Sequence, residues 1–219
     1  MLQETRELEL SVASDATLII DAGAGSLSLQ GVPGAEVIAV TAEIWQVAPN
    51  DEYTLTLELD ETGTAHLVSQ TDTGLGANRD RVDLDIFVPA STALDITDGS
   101  GSMQISALTG PLRVEDGSGS LRIDDVGGDV TIDDDSGSLR VEKIAGELRI
   151  TDGSGSITVR DAGGSVTIDD GSGSISVTDA AGVVTVDDGS GSIDVDGAQD
   201  FELLDDGSGS VNLRNIRSR

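Results

Sequence analysis

The sequence predicts an all-β fold: a β-solenoid with two short strands per 18-residue coil, preceded by an irregular β-rich N-terminal portion of wider coils. Three observations carry this. Ser-Gly-Ser triplets begin at Ser100, Ser118, Ser136, Ser154, Ser172, Ser190 and Ser208, each eighteen residues after the last. An uninterrupted fixed period is the signature of stacked repeats. Between the triplets run five-residue segments such as Ser156-Ile157-Thr158-Val159-Arg160, whose alternation is that of half-buried strands. Finally, aromatics make up 2% of the chain and hydrophobic residues 37%. That is too few large side chains for an ordinary core and too much apolar surface for disorder. Small, regular cross-sections stacked on one another reconcile the two.

Each period divides into two nonads, and residues 98–214 cut into thirteen of them, such as DGSGSITVR and DAGGSVTID. A nonad is a four-residue turn followed by a five-residue strand. Its fourth position is Gly in twelve copies and Asp200 in the other. Because Gly takes positive φ at little cost and Asp tolerates it, a left-handed residue is expected there at every corner. The two half-coils differ. Odd nonads open Asp-Gly-Ser, apart from Asp134-Asp135-Ser136, whereas even nonads carry Leu108, Val126, Ile144, Ala162, Ala180 or Ala198 second. One corner should therefore tuck a side chain inward and the other stay polar. About five apolar side chains per coil cannot sustain a coil alone, so stability must come from stacking. In residues 197–205, GAQDFELLD, Glu202 falls where a core residue is due. A bulge turning Phe201 and Leu203 inward is the expected repair.

Residues 1–97 form the irregular N-terminal capping portion and 98–219 the regular array, continuous with it as one domain. Alternation recurs in Leu8/Leu10/Val12, Leu18/Ile20, Ile38/Val40/Ala42/Ile44, Tyr53/Leu55/Leu57/Leu59 and Val82/Leu84/Ile86/Val88. Asp21 to Leu29 reads as an off-register nonad.

A net charge of −29, with twelve basic residues, excludes nucleic acid as a partner, since phosphates require basic contacts. No stretch approaches the roughly 20 apolar residues of a membrane span, so membrane insertion is not expected. The opening MLQETRELEL lacks the basic and apolar regions of a leader. With no cysteine, disulfides and thiolate metal sites are excluded.

The motifs that resemble catalytic sites fail on chemistry. The repeated serines have no base beside them, and the sole histidine, His66, lies outside the array. Asp-Gly-Ser-Gly-Ser is not the Gly-x-Ser-x-Gly of a nucleophile elbow. Asp72-Thr73-Gly74 and Asp135-Ser136-Gly137 imitate aspartic-protease loops, in a chain too short for that two-lobed enzyme. Glycine-serine turns can cradle anions, but the flanking carboxylates would repel phosphate. No enzyme activity and no catalytic residue are expected. A uniform hydroxyl array for ice or lattice binding is spoiled by Arg122, Arg140 and Asp194 in one column.

Stacking places Asp116, Asp134, Asp152, Asp170, Asp188 and Asp206 in a column, with about 4.8 Å between neighbours. Beside it run Glu115, Asp133, Asp169, Asp187 and Asp205, interrupted by Thr151. The first column is the one candidate metal site, and Ca²⁺ the one candidate cofactor; otherwise none is implied. In calcium-binding β-rolls the liganding Asp occupies a position that is apolar here, Ile157. Exposed carboxylates at this spacing repel by about 0.8 kcal/mol in water, which needs no metal. The preferred role is structural, each Asp accepting a turn N–H.

VDLDIFVPASTALDITDGSGSMQIS, followed by repeated GSGS-apolar-x-apolar and GG-x-V-x-I units, resembles the bacterial putative-adhesin, β-strand-repeat family, over roughly residues 30–214. The resemblance implies a β-solenoid in an envelope-associated, extracytoplasmic setting and supplies no catalytic residues. The expected function is a non-enzymatic acidic module for surface adhesion or envelope scaffolding, with an unidentified surface or protein ligand. The alternative is self-assembly through exposed coil edges into oligomers or filaments. Arg214, Arg217 and Arg219 would blunt the last edge, or would meet the acidic QETRELE stretch of another copy head to tail.

Overall fold

The computed structural model describes residues 2–46, 53–71 and 80–217. Among the described residues the chain forms nineteen strands and no helix. In order they are β1 (Leu2–Ser11), β2 (Thr17–Val32), β3 (Val37–Trp45), β4 (Tyr53–Leu59), β5 (Ala65–Thr71), β6 (Arg81–Pro89), β7 (Ala93–Leu108), β8 (Leu112–Asp116), β9 (Gly119–Val126), β10 (Val130–Asp134), β11 (Gly137–Ile144), β12 (Leu148–Asp152), β13 (Gly155–Ala162), β14 (Val166–Asp170), β15 (Gly173–Ala180), β16 (Val183–Asp188), β17 (Gly191–Ala198), β18 (Asp200–Asp205) and β19 (Gly209–Ile216).

From β7 onward the fold is the predicted parallel solenoid. The short even-numbered strands β8 to β18 stack in parallel on one face. The longer odd-numbered strands β9 to β19 stack in parallel on the other. Strand β7 crosses both faces, its first half pairing with β8 and its second with β9. Residues i and i+18 are partners in every ladder of the array except the start of β16 on β18, as in Val130↔Leu148 and Leu139↔Ile157. Inward side chains from both faces make one continuous cluster, with Ile123, Val141, Val159 and Val177 fully enclosed.

The N-terminal irregularity has a definite form. Strand β2 is inserted as a rung: it pairs in parallel with β7 along its length on one side and with β5 and β6 on the other. Gly25 stands beside Gly101 and Leu27 beside Met103, so the off-register nonad is a true member of the stack. Beyond it the ladders turn antiparallel, with β3 on β6, β1 on β3, and β4 on β5. Opposite residues of an antiparallel pair share a face. Glu4 opposite Ile44 and Arg6 opposite Ala42 therefore point the same way as buried core residues. There Arg6 Nε meets Glu4 Oε1 at 2.7 Å, the Tyr53 hydroxyl donates to Glu4 Oε2 at 3.0 Å, and the guanidinium lies 5.4 Å from the Tyr53 ring centre. This polar cluster covers one part of that end of the core, and Leu8, Leu10, Leu55 and Leu57 cover the rest.

The corners correct one expectation. At the Asp-Gly-Ser corner the fourth-position glycines Gly101 to Gly191 do have positive φ, between 139° and 156°. At the other corner the positive φ falls on the first position instead: Ala107, Asp125, Lys143, Asp161, Asp179 and Asn215, at 52–62°, and Gly197 at 83°. That residue inserts an extra outward step, which reverses the parity and drives Val126, Ile144, Ala162 and their equivalents into the core. The fourth-position glycine of this corner answers a different demand, close backbone approach. A Cβ on Gly164 would lie 2.3 Å from the Gly146 carbonyl oxygen, and one on Gly128 2.5 Å from that of Gly110.

The aberrant nonad is repaired as expected. Phe201 pairs with Val184, Glu202 with Thr185 and Leu203 with Val186, after which the register slips so that Asp205 meets Asp187. Leu204 is the extra residue, Glu202 faces outward, and Phe201 and Leu203 face the core.

Candidate functional site

Two features stand out from the frame: a file of carboxyl groups inside the coil, and flat outer faces of mixed polar side chains.

The file begins with strand parity. In β8, Leu112, Val114 and Asp116 are i, i+2 and i+4, so the acid ending the strand points inward with the two apolar residues. The parallel ladders then align Asp98, Asp116, Asp134, Asp152, Asp170 and Asp188 in consecutive coils. All six are buried, at 1–5% exposure, so the column is not the exposed one expected from the turn motif. Asp98, at the end of the first half of β7, heads the column one coil before Asp116. Asp206 does not share this environment: β18 ends at Asp205, beyond the Leu204 bulge, and Asp206 is only half-buried.

The structural role holds in the interior coils. The Ser154 backbone N–H donates to Asp152 Oδ1 at 3.0 Å, as do Ser118, Ser136, Ser172 and Ser190 to their own Asp at 2.9–3.2 Å. In the last coil Asp205 takes this role, accepting from the Gly207 N–H at 3.0 Å. The second carboxylate oxygens of Asp152 and Asp170 are buried with no hydrogen-bond partner.

Buried like charges in a file favour the neutral acid. Burial pushes Asp98 up to about 7, reinforced by the charge of Asp116. Burial, then the charges of Asp116 and Asp152, raises Asp134 to about 6. Asp170 is raised to about 6 by burial, with the charges of Asp152 and Asp188 adding to it. Asp116, Asp152 and Asp188 are raised chiefly by burial. Among the described residues no group of three or more His, Asp or Glu side chains is arranged to hold a metal ion. Each rung offers at most one free oxygen, short of the six to eight that Ca²⁺ takes.

The outer faces repeat at every coil. On the longer-strand face Glu142 gathers Arg140 at 2.6 Å, Arg122 at 2.8 Å and Arg160 at 3.8 Å, and Arg140 chiefly holds its carboxyl below the usual range. On the other face Arg113 bonds Glu115 and lies 3.9 Å from Asp95. Arg113, Arg122, Arg140 and Arg160 are thus absorbed by cross-strand and same-strand pairing. His66 pairs with Asp60 at 3.1 Å across the β4–β5 turn, away from the serine columns. Asp135-Ser136-Gly137 is a corner between β10 and β11. Asp72-Thr73-Gly74 lies outside the described residues.

The pattern of ladders and corners has a counterpart among known families: the Toastrack DUF4097 family model matches residues 6–217. The chain belongs to this family. No curated protein matches it in sequence. A putative adhesin from Bacteroides fragilis superposes with a TM-score of 0.55 at 12% identity, covering 96% of this chain and 97% of that one. A putative adhesin from Parabacteroides distasonis (TM-score 0.46, 12% identity, 95% and 97% covered) and a putative cell adhesion protein from Clostridium sporogenes (0.41, 12%, 96% and 99%) are more distant in shape. At such identity the first likeness establishes the fold. In this Toastrack chain, among the described residues, no helix is long and apolar enough to cross a membrane.

Proposed function

We propose that this Toastrack chain is a non-enzymatic, acidic β-solenoid working as an adhesion or scaffold module of the cell envelope. The observation that carries the reading is the register. From β7 to β19 the coils present outward side chains in straight columns on two faces, held by an enclosed core. A rigid surface with repeated, shallow polar texture suits contact with another extended surface better than conversion of a small substrate. The adhesin description of the Bacteroides fragilis neighbour supports an extracytoplasmic site of action.

The test is direct. Beads coated with the protein are offered purified cell walls, intact cells and matrix proteins, with albumin-coated beads as reference. Retention well above the reference on one surface is expected. It should fall when Thr131, Thr167 and Thr185, which share one outward column, are replaced together by lysine or when the opposite face is so altered. Retention equal to albumin on every surface would sink the reading.

A further inference from the structure

The two ends of the solenoid are built differently. At the first, the inward positions of the outermost strands carry Glu4, Arg6 and Tyr53, bonded to one another, beside the apolar Leu8, Leu10, Leu55 and Leu57. Inward-pointing charge is a device that stops a sheet from adding strands. At the other, the inward positions of the last coil are Phe201 and Leu203 on β18, and Val211, Leu213 and Ile216 on β19. Their counterparts one coil earlier, Val184, Val186, Ile193 and Val195, are at most 1% exposed, whereas Leu203 is 38% and Leu213 43% exposed. Strand β18 pairs with β16 and β19 with β17, and among the described residues no strand pairs with their outer edges.

Charge says what would fit. Strand β18 carries Asp200, Glu202 and Asp205 and no base. Strand β19 carries Arg214, loosely paired with Asp194 and Asp196 of β17 at 3.6 and 4.0 Å, and no acid, with Arg217 just beyond it. An edge with one acidic strand and one basic strand complements itself when turned over. We propose that the C-terminal coil is a homodimerisation surface, on which a second copy docks tail to tail about a two-fold axis parallel to the strands. That operation keeps strand direction and exchanges the faces. Because the chain crosses the two faces in opposite directions, β19 of each copy then runs antiparallel to β18 of the other. It sets Arg214 and Arg217 against the acids of the partner's β18 and places the two apolar coil ends over one another. The contact is isologous and closes at two copies. Head-to-tail growth would instead press the apolar end onto a surface that carries the charged pair Glu4 and Arg6.

The expected result in sedimentation velocity on the full chain is a reversible monomer–dimer equilibrium. It should weaken severalfold between about 20 mM and 500 mM salt, since exposed charges are screened. Leu203→Asp with Leu213→Asp should weaken it at least tenfold while circular dichroism keeps its β signature. The chain has no cysteine, so geometry can be read by disulfide trapping at outward positions near the strand centres. A mixture of Asn212→Cys and Glu202→Cys proteins should cross-link under mild oxidation, and neither protein alone should do so efficiently. A monomer at 100 μM overturns the proposal. So do species that keep growing with concentration, which indicate head-to-tail contact, and cross-linking of Asn212→Cys with itself, which indicates like strands paired. The surface reading above does not depend on the outcome.

Discussion

Asp134 and Asp152 are partners across one step of the parallel ladder, both turned into the core and both 2% exposed. Two carboxylates so placed cannot both ionise cheaply, and a third, Asp170, stands one step further on. The charges just outside the column are acids too, Asp135 beside Asp134 and Asp169 beside Asp170.

The first prediction concerns pH. These carboxyls have folded pKa values raised to about 6 or 7 at Asp98, Asp134 and Asp170, above the unfolded value near 3.9. A raised folded pKa means that the native state binds protons more readily. Its stabilising contribution is complete below about pH 4 and is lost as pH rises through 6 to 7. Allowing for solvent screening, we expect about 1 kcal/mol per carboxyl. Melting temperature should therefore rise on going from pH 8 to pH 5. A flat or falling curve over that interval would show that the column stays ionised at no cost.

Replacing one rung separates this effect from general charge repulsion. Asp152→Asn keeps the oxygen that accepts from Ser154 and offers N–H donors where Oδ2 lacks a partner. It should stabilise the protein by about 1 kcal/mol at pH 8 and flatten its pH dependence. Asp169→Asn, one residue earlier and outward, removes the same charge and should do much less. Equal effects in urea melts at pH 8 would discount burial as the cause.

Calcium provides the third prediction. With one oxygen of each rung engaged by a turn N–H and coordination so incomplete, Ca²⁺ titrated to 5 mM at low ionic strength and pH 7 should leave the melting temperature unmoved. A saturable rise would instead identify the column as a cation site.

The corners supply the last pair. Gly155 has φ of 149°, and a Cβ there would lie 1.9 Å from the Gly137 carbonyl oxygen. Gly155→Ala should cost more than 3 kcal/mol, in the range reserved for severe backbone conflict. Ala107 already sits at φ of 59°, where an L side chain is strained. Ala107→Gly should gain about 0.5–1 kcal/mol despite the greater freedom of glycine in the unfolded chain. Chemical denaturation of both variants checks the opposite signs.

How much of this was readable beforehand follows from where the information lies. The coil, its register and the repair at Phe201 and Leu203 are consequences of spacing and alternation, which a sequence displays. The insertion of β2 between β6 and β7 is a contact between residues 76 apart, Gly25 and Gly101. Its one local trace is the fragment from Asp21 to Leu29. The burial of the column is hidden in the sequence for a subtler reason. Asp152 is the first residue of a turn motif, yet it is equally the third inward position after Leu148 and Ile150. Parity carried on by one more step would have turned it inward and exposed its cost. The left-handed residue was misplaced at alternate corners because glycine answers two needs, positive φ at Gly155 and close approach at Gly164, and sequence alone does not distinguish them.

The hydrogen bonds that join coil to coil, such as Gly153 N–H to Asp134 O at 2.9 Å and Gly171 N–H to Asp152 O at 2.8 Å, lie along the long axis. A pull on the two ends of the stack loads those bonds in tension, and the coils yield one at a time. Each released coil turns about 4.8 Å of rise into about 60 Å of extended chain, while the coils behind it stay folded. A molecule tethered by such a stack would lengthen in steps under load and shed force before its anchorage failed.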